Sequence, residues 1–273
     1  MKSKQFFPGV FSRHALAYDR RLEQVMAHGE ARGRLRVLEL VHARPGMRIL
    51  DLACGPGTLA RRLAAQVAPG GKVVGVDLAP GMIELARAAR IPNARFEVMD
   101  IEQLSFDGAS FDAAACGHGL QFAPDLGAAL REARRVLRPA GRLAASVPVD
   151  TTKDLVWSLL DDVVDRWLGP APQAADQRST RDAVSDIERF RQAAVDAGFA
   201  TADVESIEEN VKWPSAEQFV SQFAGWWFYA SRMEVINDDR RQEFIDEAVK
   251  TLRVSYPGSF ETTGRNHVLF AVA

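Results

Sequence analysis

The chain has 273 residues, 34 of them basic and 36 acidic, for a formal net charge of −2, with 47 % hydrophobic and 26 % charged residues. This is the composition of a globular protein with enough apolar material for a sizeable core. It lacks the basic excess of a nucleic-acid binder, since the short basic clusters at 32–36, 61–62 and 134–138 read as solvated helix faces.

Two cysteines, Cys54 and Cys116, are too few for a disulfide framework or a metal-ligand set, and they fit a reducing, cytoplasmic setting. The opening MKSKQFFP has no apolar core of a signal peptide, and no run of about 18 apolar residues predicts a membrane span. No acidic cluster predicts a catalytic metal.

From residue 47 onward short apolar strands alternate with amphipathic helices. Residues 47–53 (MRILDLA) read as a buried strand that ends at Gly55-Pro-Gly57. Residues 58–67 follow at helical spacing, with Leu59, Leu63 and Val67 on one face. Residues 72–77 (KVVGVD) are a second strand, 82–89 a helix, 95–99 a third strand and 111–116 a small-residue strand. Leu126, Leu130, Ala133 and Leu137 mark a helix stopped by Pro139 and Gly141, and 142–147 is a fifth strand. Such alternation predicts an α/β fold: a parallel sheet with helices on both faces, and a ligand site beyond the carboxyl ends of the strands.

After Val149 the rhythm changes. Residues 151–168 read as an amphipathic helix, 169–179 as a Pro/Ala/Gln linker and 187–197 as a helix closed by Gly198. Residues 203–213 are a candidate strand. Ser215-Ala-Glu-Gln218 has capping-box spacing, 237–252 suggest a further helix, and 267–272 (HVLFAV) a final strand.

The glycine turn Asp51-Leu-Ala-Cys-Gly55-Pro-Gly57-Thr-Leu-Ala60 joins a strand to a helix. Glycines allow close backbone approach, and the helix N-terminus offers free N–H groups to an anion. With Asp77 about 20 residues on, the turn also fits a relaxed dinucleotide fingerprint, so an NAD(P)-dependent oxidoreductase is one reading. Against it, Asp51 lies four residues before Gly55, where a carboxylate suits an ammonium group rather than a pyrophosphate, and no Tyr-x-x-x-Lys pair follows the later strands. A binding or scaffold protein that holds a nucleoside-containing cofactor, or an enzyme that keeps it for another reaction, is a further reading.

Five stretches in order carry a more specific likeness. Residues 49–57 (ILDLACGPG), 74–82 (VGVDLAPGM), 99–106 (MDIEQLSF), 111–120 with Phe111-Asp112 and Gly117-His-Gly-Leu120, and 131–143 (REARRVLRPAGRL) resemble the successive motifs of the class I S-adenosylmethionine-dependent methyltransferases. The ubiquinone/menaquinone-biosynthesis group is most similar, and Phe11-x-x-x-Ala15-x-x-Tyr18-Asp19 resembles its upstream stretch. Two positions depart: Gly119-Leu-Gln-Phe122 stands where that group usually has Gly-Leu-Arg-Asn, and Pro56 where it often has Thr.

The resemblance implies a Rossmann-like seven-stranded sheet in the order 3-2-1-4-5-7-6, its last strand antiparallel. It implies one methyltransferase domain over 1–273, with a helical cap at 1–45, a cofactor core at 46–150 and helical lid insertions at 151–185 and 214–262. The cofactor would be S-adenosyl-L-methionine. Asp51 would face its ammonium, Gly55 and Gly57 would let the backbone pass close, and Asp77 followed by Leu78 would take the ribose hydroxyls. Met82, Asp100 and Ile101 would meet the adenine, and Gly117 the methionine part. His118 is the candidate acid or base. Tyr18, Gln121, Phe122, Trp226 and Trp227 are candidates for a small, largely apolar acceptor, methylated on oxygen or carbon. The aromatic run from Phe219 to Tyr229 could equally pack added helices or form a homodimer interface.

Overall fold

The computed structural model describes residues 2–149, 154–169, 176 and 178–273. Three helices come first: α1 (Ser3–Arg13), α2 (Ala15–Ala27) and α3 (Arg32–Val41). The expected alternation follows as β1 (Arg48–Leu52), α4 (Thr58–Val67), β2 (Lys72–Asp77), α5 (Pro80–Ala88), β3 (Ala94–Val98), β4 (Phe111–Gly117), α6 (Leu126–Val136) and β5 (Leu137–Val149). The remainder is α7 (Leu155–Leu168), α8 (Arg178–Val184), α9 (Ile187–Asp196), β6 (Thr201–Trp213), α10 (Ala216–Ser221), α11 (Trp227–Met233), α12 (Asp238–Ser255) and β7 (Phe260–Val272).

The seven strands form one sheet in the order β3-β2-β1-β4-β5-β7-β6. β1 to β5 pair in parallel, and β7 runs antiparallel to both β5 and β6. Alternating residues of β1 feed two cores. Leu50 and Leu52 join α6 and α9 on one face, whereas Ile49 joins α3, α4 and α5 on the other. A strand buried on both faces reads as a continuous apolar run, which is why ILDL was legible as β1. Chain order reverses on either side of β1 and β4, so the crevice lies at their carboxyl ends.

β6 and β7 are longer than expected, 13 residues each, and pair along their whole length from Thr201↔Val272 to Trp213↔Phe260. The first half of β7, FETTGRN, carries no apolar alternation, so only 267–272 announced a strand. The expected second insertion, 214–262, therefore ends inside β7. The far ends of this ribbon carry a third core, built by α7 from the first insertion and α10 to α12 from the second. The first insertion is not a single unit: Val184 of α8 packs instead into the core beside the sheet. Its residues 151–153, 170–175 and 177, and with them most of the expected linker, lie outside the described residues. Among the described residues no helix is long and apolar enough to cross a membrane.

Ser215 caps α10 as the sequence predicts, its hydroxyl accepting from the Gln218 backbone N–H at 3.3 Å. Ser215→Ala is expected to lower stability by about 1 kcal/mol, seen as a lower urea midpoint at constant slope. An unchanged midpoint would show that this cap contributes nothing.

Candidate active site

The loop after β1 holds the centre of the crevice. Ala53 and Gly55 both take left-handed backbone conformations, φ 51° and 53°, and Gly57 follows at 86° as the N-cap of α4. Asp77 ends β2 and reaches across to this loop. Its Oδ2 accepts from the Gly55 backbone N–H at 2.9 Å and its Oδ1 from that of Ala79 at 2.8 Å. The sequence therefore places a carboxylate that fixes the turn and still has lone pairs free. Burial pushes the Asp77 carboxyl up, opposed by the N–H groups of Ala79, Gly55 and Leu78.

Two connected compartments open here. The larger has about 750 Å³ of empty space, its open mouth included, and runs from Asp77, Leu78 and Met82 past Asp100 and Ile101 to Gly117, His118 and Phe122. The smaller is lined by Asp51, Arg34, Leu22 and Leu59 among others. Tyr18, Ala53, Gly55 and Gly117 line both. Tyr18 stands between them, its hydroxyl accepting from Arg34 at 3.1 Å.

Most of the site residues expected from the sequence thus meet in one crevice. Four do not line either compartment. Gly57 faces away: a Cβ there would lie 3.2 Å from the Phe96 ring, so its role is turn and close packing. Gly57→Ala is expected to cost roughly 1–2 kcal/mol, because the left-handed conformation is strained for any other residue. A thermal melt with unchanged midpoint would contradict that. Gln121 is buried beneath the crevice floor and donates to the His118 carbonyl at 2.8 Å. Trp226 belongs to the third core, beside Trp157, Trp213 and Phe219. Trp227 backs the crevice wall, its ring 4.9 Å from Phe7 and 6.0 Å from Phe122.

The structure adds residues the sequence reading missed. Ser3, Lys4, Phe7, Pro8 and Phe11 of α1 line the larger compartment. Lys4 donates to both Asp100 and Glu102 at 2.6 Å, so the expected adenine acceptor is already ion-paired by the helix above it. The Phe6, Phe7 and Phe11 cluster was the available signal. Arg34 is also new. It is 8 % exposed, and among the described residues it has no ion pair.

The smaller compartment contains two unpartnered atoms of opposite character: Asp51 Oδ2 and Arg34 Nε, both enclosed. Burial raises the Asp51 carboxyl to about 8, the N–H of Ala60 opposing it and the Asp77 charge adding to it. A buried acid and a buried guanidinium sharing a cavity without bonding to each other fit a zwitterionic amino-acid group. With a carboxylate on the neighbouring strand end and an apolar slot beyond, the residues fit S-adenosylmethionine.

Comparison with known proteins agrees. Residues 49–141 match a family model described as a methyltransferase domain. The 2-phytyl-1,4-naphtoquinone methyltransferase of Synechococcus elongatus is 31 % identical over 71 % of this chain and 88 % of its own length. The nocamycin O-methyltransferase of Saccharothrix syringae is 31 % identical over 82 % of this chain and 84 % of its own. A 37.1 kDa uncharacterized protein of transposon TN4556 from Streptomyces fradiae is 42 % identical over 130 residues, and there the match spans only 38 % of the relative. Among solved structures, the methyltransferase bound to the Haloferax volcanii Trm112 activator superposes with a TM-score of 0.57 at 21 % identity, over 96 % of this chain and 97 % of that one, a likeness of fold. The sheet order, the site and these relatives together make the chain a member of the class I S-adenosylmethionine-dependent methyltransferases.

Proposed function

We propose that this protein transfers the methyl group of S-adenosylmethionine to an oxygen or carbon atom of a small, largely apolar molecule. The observation that carries this reading is the pairing of Asp77 with the Gly55 turn at the mouth of an aromatic-walled crevice. The cofactor supplies a methyl group already activated by a sulfonium. The protein's part is to bind, orient and exclude water. Asp77 accepts from the ribose, Asp51 and Arg34 hold the amino-acid tail, and Met82 and Ile101 flank the adenine. Asp100 is tied to Lys4, which fastens α1 over the same end.

Phe7, Phe11 and Phe122 form the apolar wall, with ring centroids 4.9 Å apart for Phe7–Phe122 and 5.3 Å for Phe11–Phe122. Such a wall favours a planar or greasy acceptor over a nucleic acid, in keeping with the net charge of −2. The relatives are named a 2-phytyl-1,4-naphtoquinone methyltransferase and a nocamycin O-methyltransferase, which supports a small, largely apolar acceptor here. Incubation with S-adenosylmethionine labelled in the methyl group and a panel of quinols, phenols and enols is expected to yield a labelled organic product. Label transfer to none of them, with the cofactor bound, would count against methylation.

A further inference from the structure

α1 roofs the larger compartment, which Ser3, Lys4, Phe7, Pro8 and Phe11 all line. Its buried residues are Ser3, Phe7 and Val10, and among the described residues none of them belongs to the two sheet cores or to the third core. Phe7 instead meets Phe122 and Trp227 at the crevice wall. An element with so little apolar anchorage opens more readily than the sheet that it covers.

The two ends of α1 are held differently. At the C-terminal end backbone packs on backbone: the Ser12 hydroxyl accepts from the Gly81 N–H at 3.1 Å, and a Cβ on Gly81 would lie 2.6 Å from the Ser12 carbonyl oxygen. Arg13 and His14 both reach Glu234, at 2.8 and 2.7 Å. The N-terminal end is tied down by polar groups. The Ser3 backbone N–H donates to Asp176 at 3.0 Å, and Lys4 Nζ bridges Asp100 and Glu102 at 2.6 Å each from a side chain that is 37 % exposed. Between the ends lies Pro8-Gly9. Pro8 has no N–H for the Lys4 carbonyl, and glycine is the least stiff residue a helix can carry, so the helix is weakest at its middle.

The Lys4 bridge engages the carboxylate assigned to the adenine. Asp100 Oδ1 accepts from the Glu102 N–H at 2.9 Å and Oδ2 from Lys4, so both oxygens are in use. Glu102 is fixed separately, its Oε1 accepting from the Asp125 N–H at 2.9 Å. An amino group that arrives at Asp100 therefore competes with Lys4, and Glu102 by itself can keep the ammonium.

We infer that the first half of α1, residues 3–8, is a lid hinged at Pro8-Gly9, and that Lys4 is its latch. The bridge to Asp100 and Glu102 opens to let the adenosine part pass and closes behind it. The inference rests on S-adenosylmethionine being the cofactor. The moving half carries Phe7, so an open lid lacks part of the acceptor wall. Cofactor exchange and acceptor binding thus exclude one another.

The test follows the release of radiolabelled S-adenosylhomocysteine chased by excess unlabelled compound. Part-exposed ion pairs stabilise weakly, so Lys4→Met is expected to release it about 3- to 10-fold faster than wild type, and Lys4→Arg at nearly the wild-type rate. Raising sodium chloride from about 0.05 to about 0.5 M speeds release from wild type and changes Lys4→Met little. In Gly9→Ala the new Cβ meets only the end of the Arg13 side chain, at 3.2 Å. This stiffer hinge slows association and release together by about 2- to 5-fold, with affinity within about 2-fold. Amide exchange of residues 4–7 slows when S-adenosylhomocysteine binds. Equal release from wild type and Lys4→Met, salt-independent release from wild type, or exchange of residues 4–7 that ignores the ligand would overturn the inference, and unchanged rates in Gly9→Ala would overturn the hinge. If the variants do not fold, salt dependence and amide exchange of the wild type decide. Failure of S-adenosylhomocysteine itself to bind would instead strike the cofactor reading.

Discussion

Asp77→Ala is expected to weaken S-adenosylhomocysteine binding by on the order of 100-fold in titration calorimetry. Two losses combine. The ribose loses an acceptor for its hydroxyls, and the Gly55 and Ala79 N–H groups, held at 2.9 and 2.8 Å, are left stranded. A hydrogen bond to a charged group contributes about 1.5–3 kcal/mol, so losing the ribose contact alone accounts for roughly 10- to 100-fold. Release of the Gly55 turn then loosens the backbone that must pass close to the ligand. Asp77→Asn keeps one acceptor oxygen and is expected to fall between wild type and alanine. Equal affinities for all three proteins would mean that Asp77 is only a turn residue.

Asp51→Asn is expected to reduce the same affinity by a similar factor while raising the melting temperature of the ligand-free protein above pH 8. The sign follows from the carboxyl standing near 8 in the fold against its ordinary 3.8. Between those values the folded state holds a proton that the unfolded state has released. The stability contribution is therefore fully present below pH 3.8 and is lost as pH rises through 8. Asparagine removes that penalty, on the order of several kcal/mol, since each pH unit between the two values is worth about 1.4 kcal/mol. An ammonium group placed beside Asp51 favours the ionised form, so binding at pH 7 is expected to release a proton and affinity to rise with pH toward 8. Calorimetry in buffers of different ionisation enthalpy reads this directly. The proton release should vanish in Asp51→Asn, and its persistence there would assign the proton elsewhere.

The core was readable because its central strands are short continuous apolar runs ended by turn residues. ILDL, VVGV and Ala113–Cys116 are buried on both faces, and their helices keep apolar residues on one side. Motif residues at strand ends were readable for a related reason: a carboxylate such as Asp77, ending an apolar strand, needs local N–H partners or a ligand. The outer features left weaker traces. The first half of β7 is stabilised by pairing with β6 rather than by apolar alternation. The role of α1 depends on Lys4 meeting Asp100 and Glu102, 96 and 98 residues away. Arg34 sat in the 32–36 cluster, which ordinarily would face water, and only the packing of α3 against the strand ends turns it inward. Trp226 and Trp227 belonged to a run whose composition suits a pocket or a core equally. The fold settled them apart, Trp226 in the third core and Trp227 behind the crevice wall.

A crystal structure with S-adenosylhomocysteine examines the central claim most directly. The ribose hydroxyls should meet Asp77, with the ammonium at Asp51, the carboxylate at Arg34 and the sulfur facing the Phe7, Phe11 and Phe122 wall. A nucleoside seated away from Asp77, or an amino-acid tail outside the Asp51–Arg34 compartment, would contradict the account.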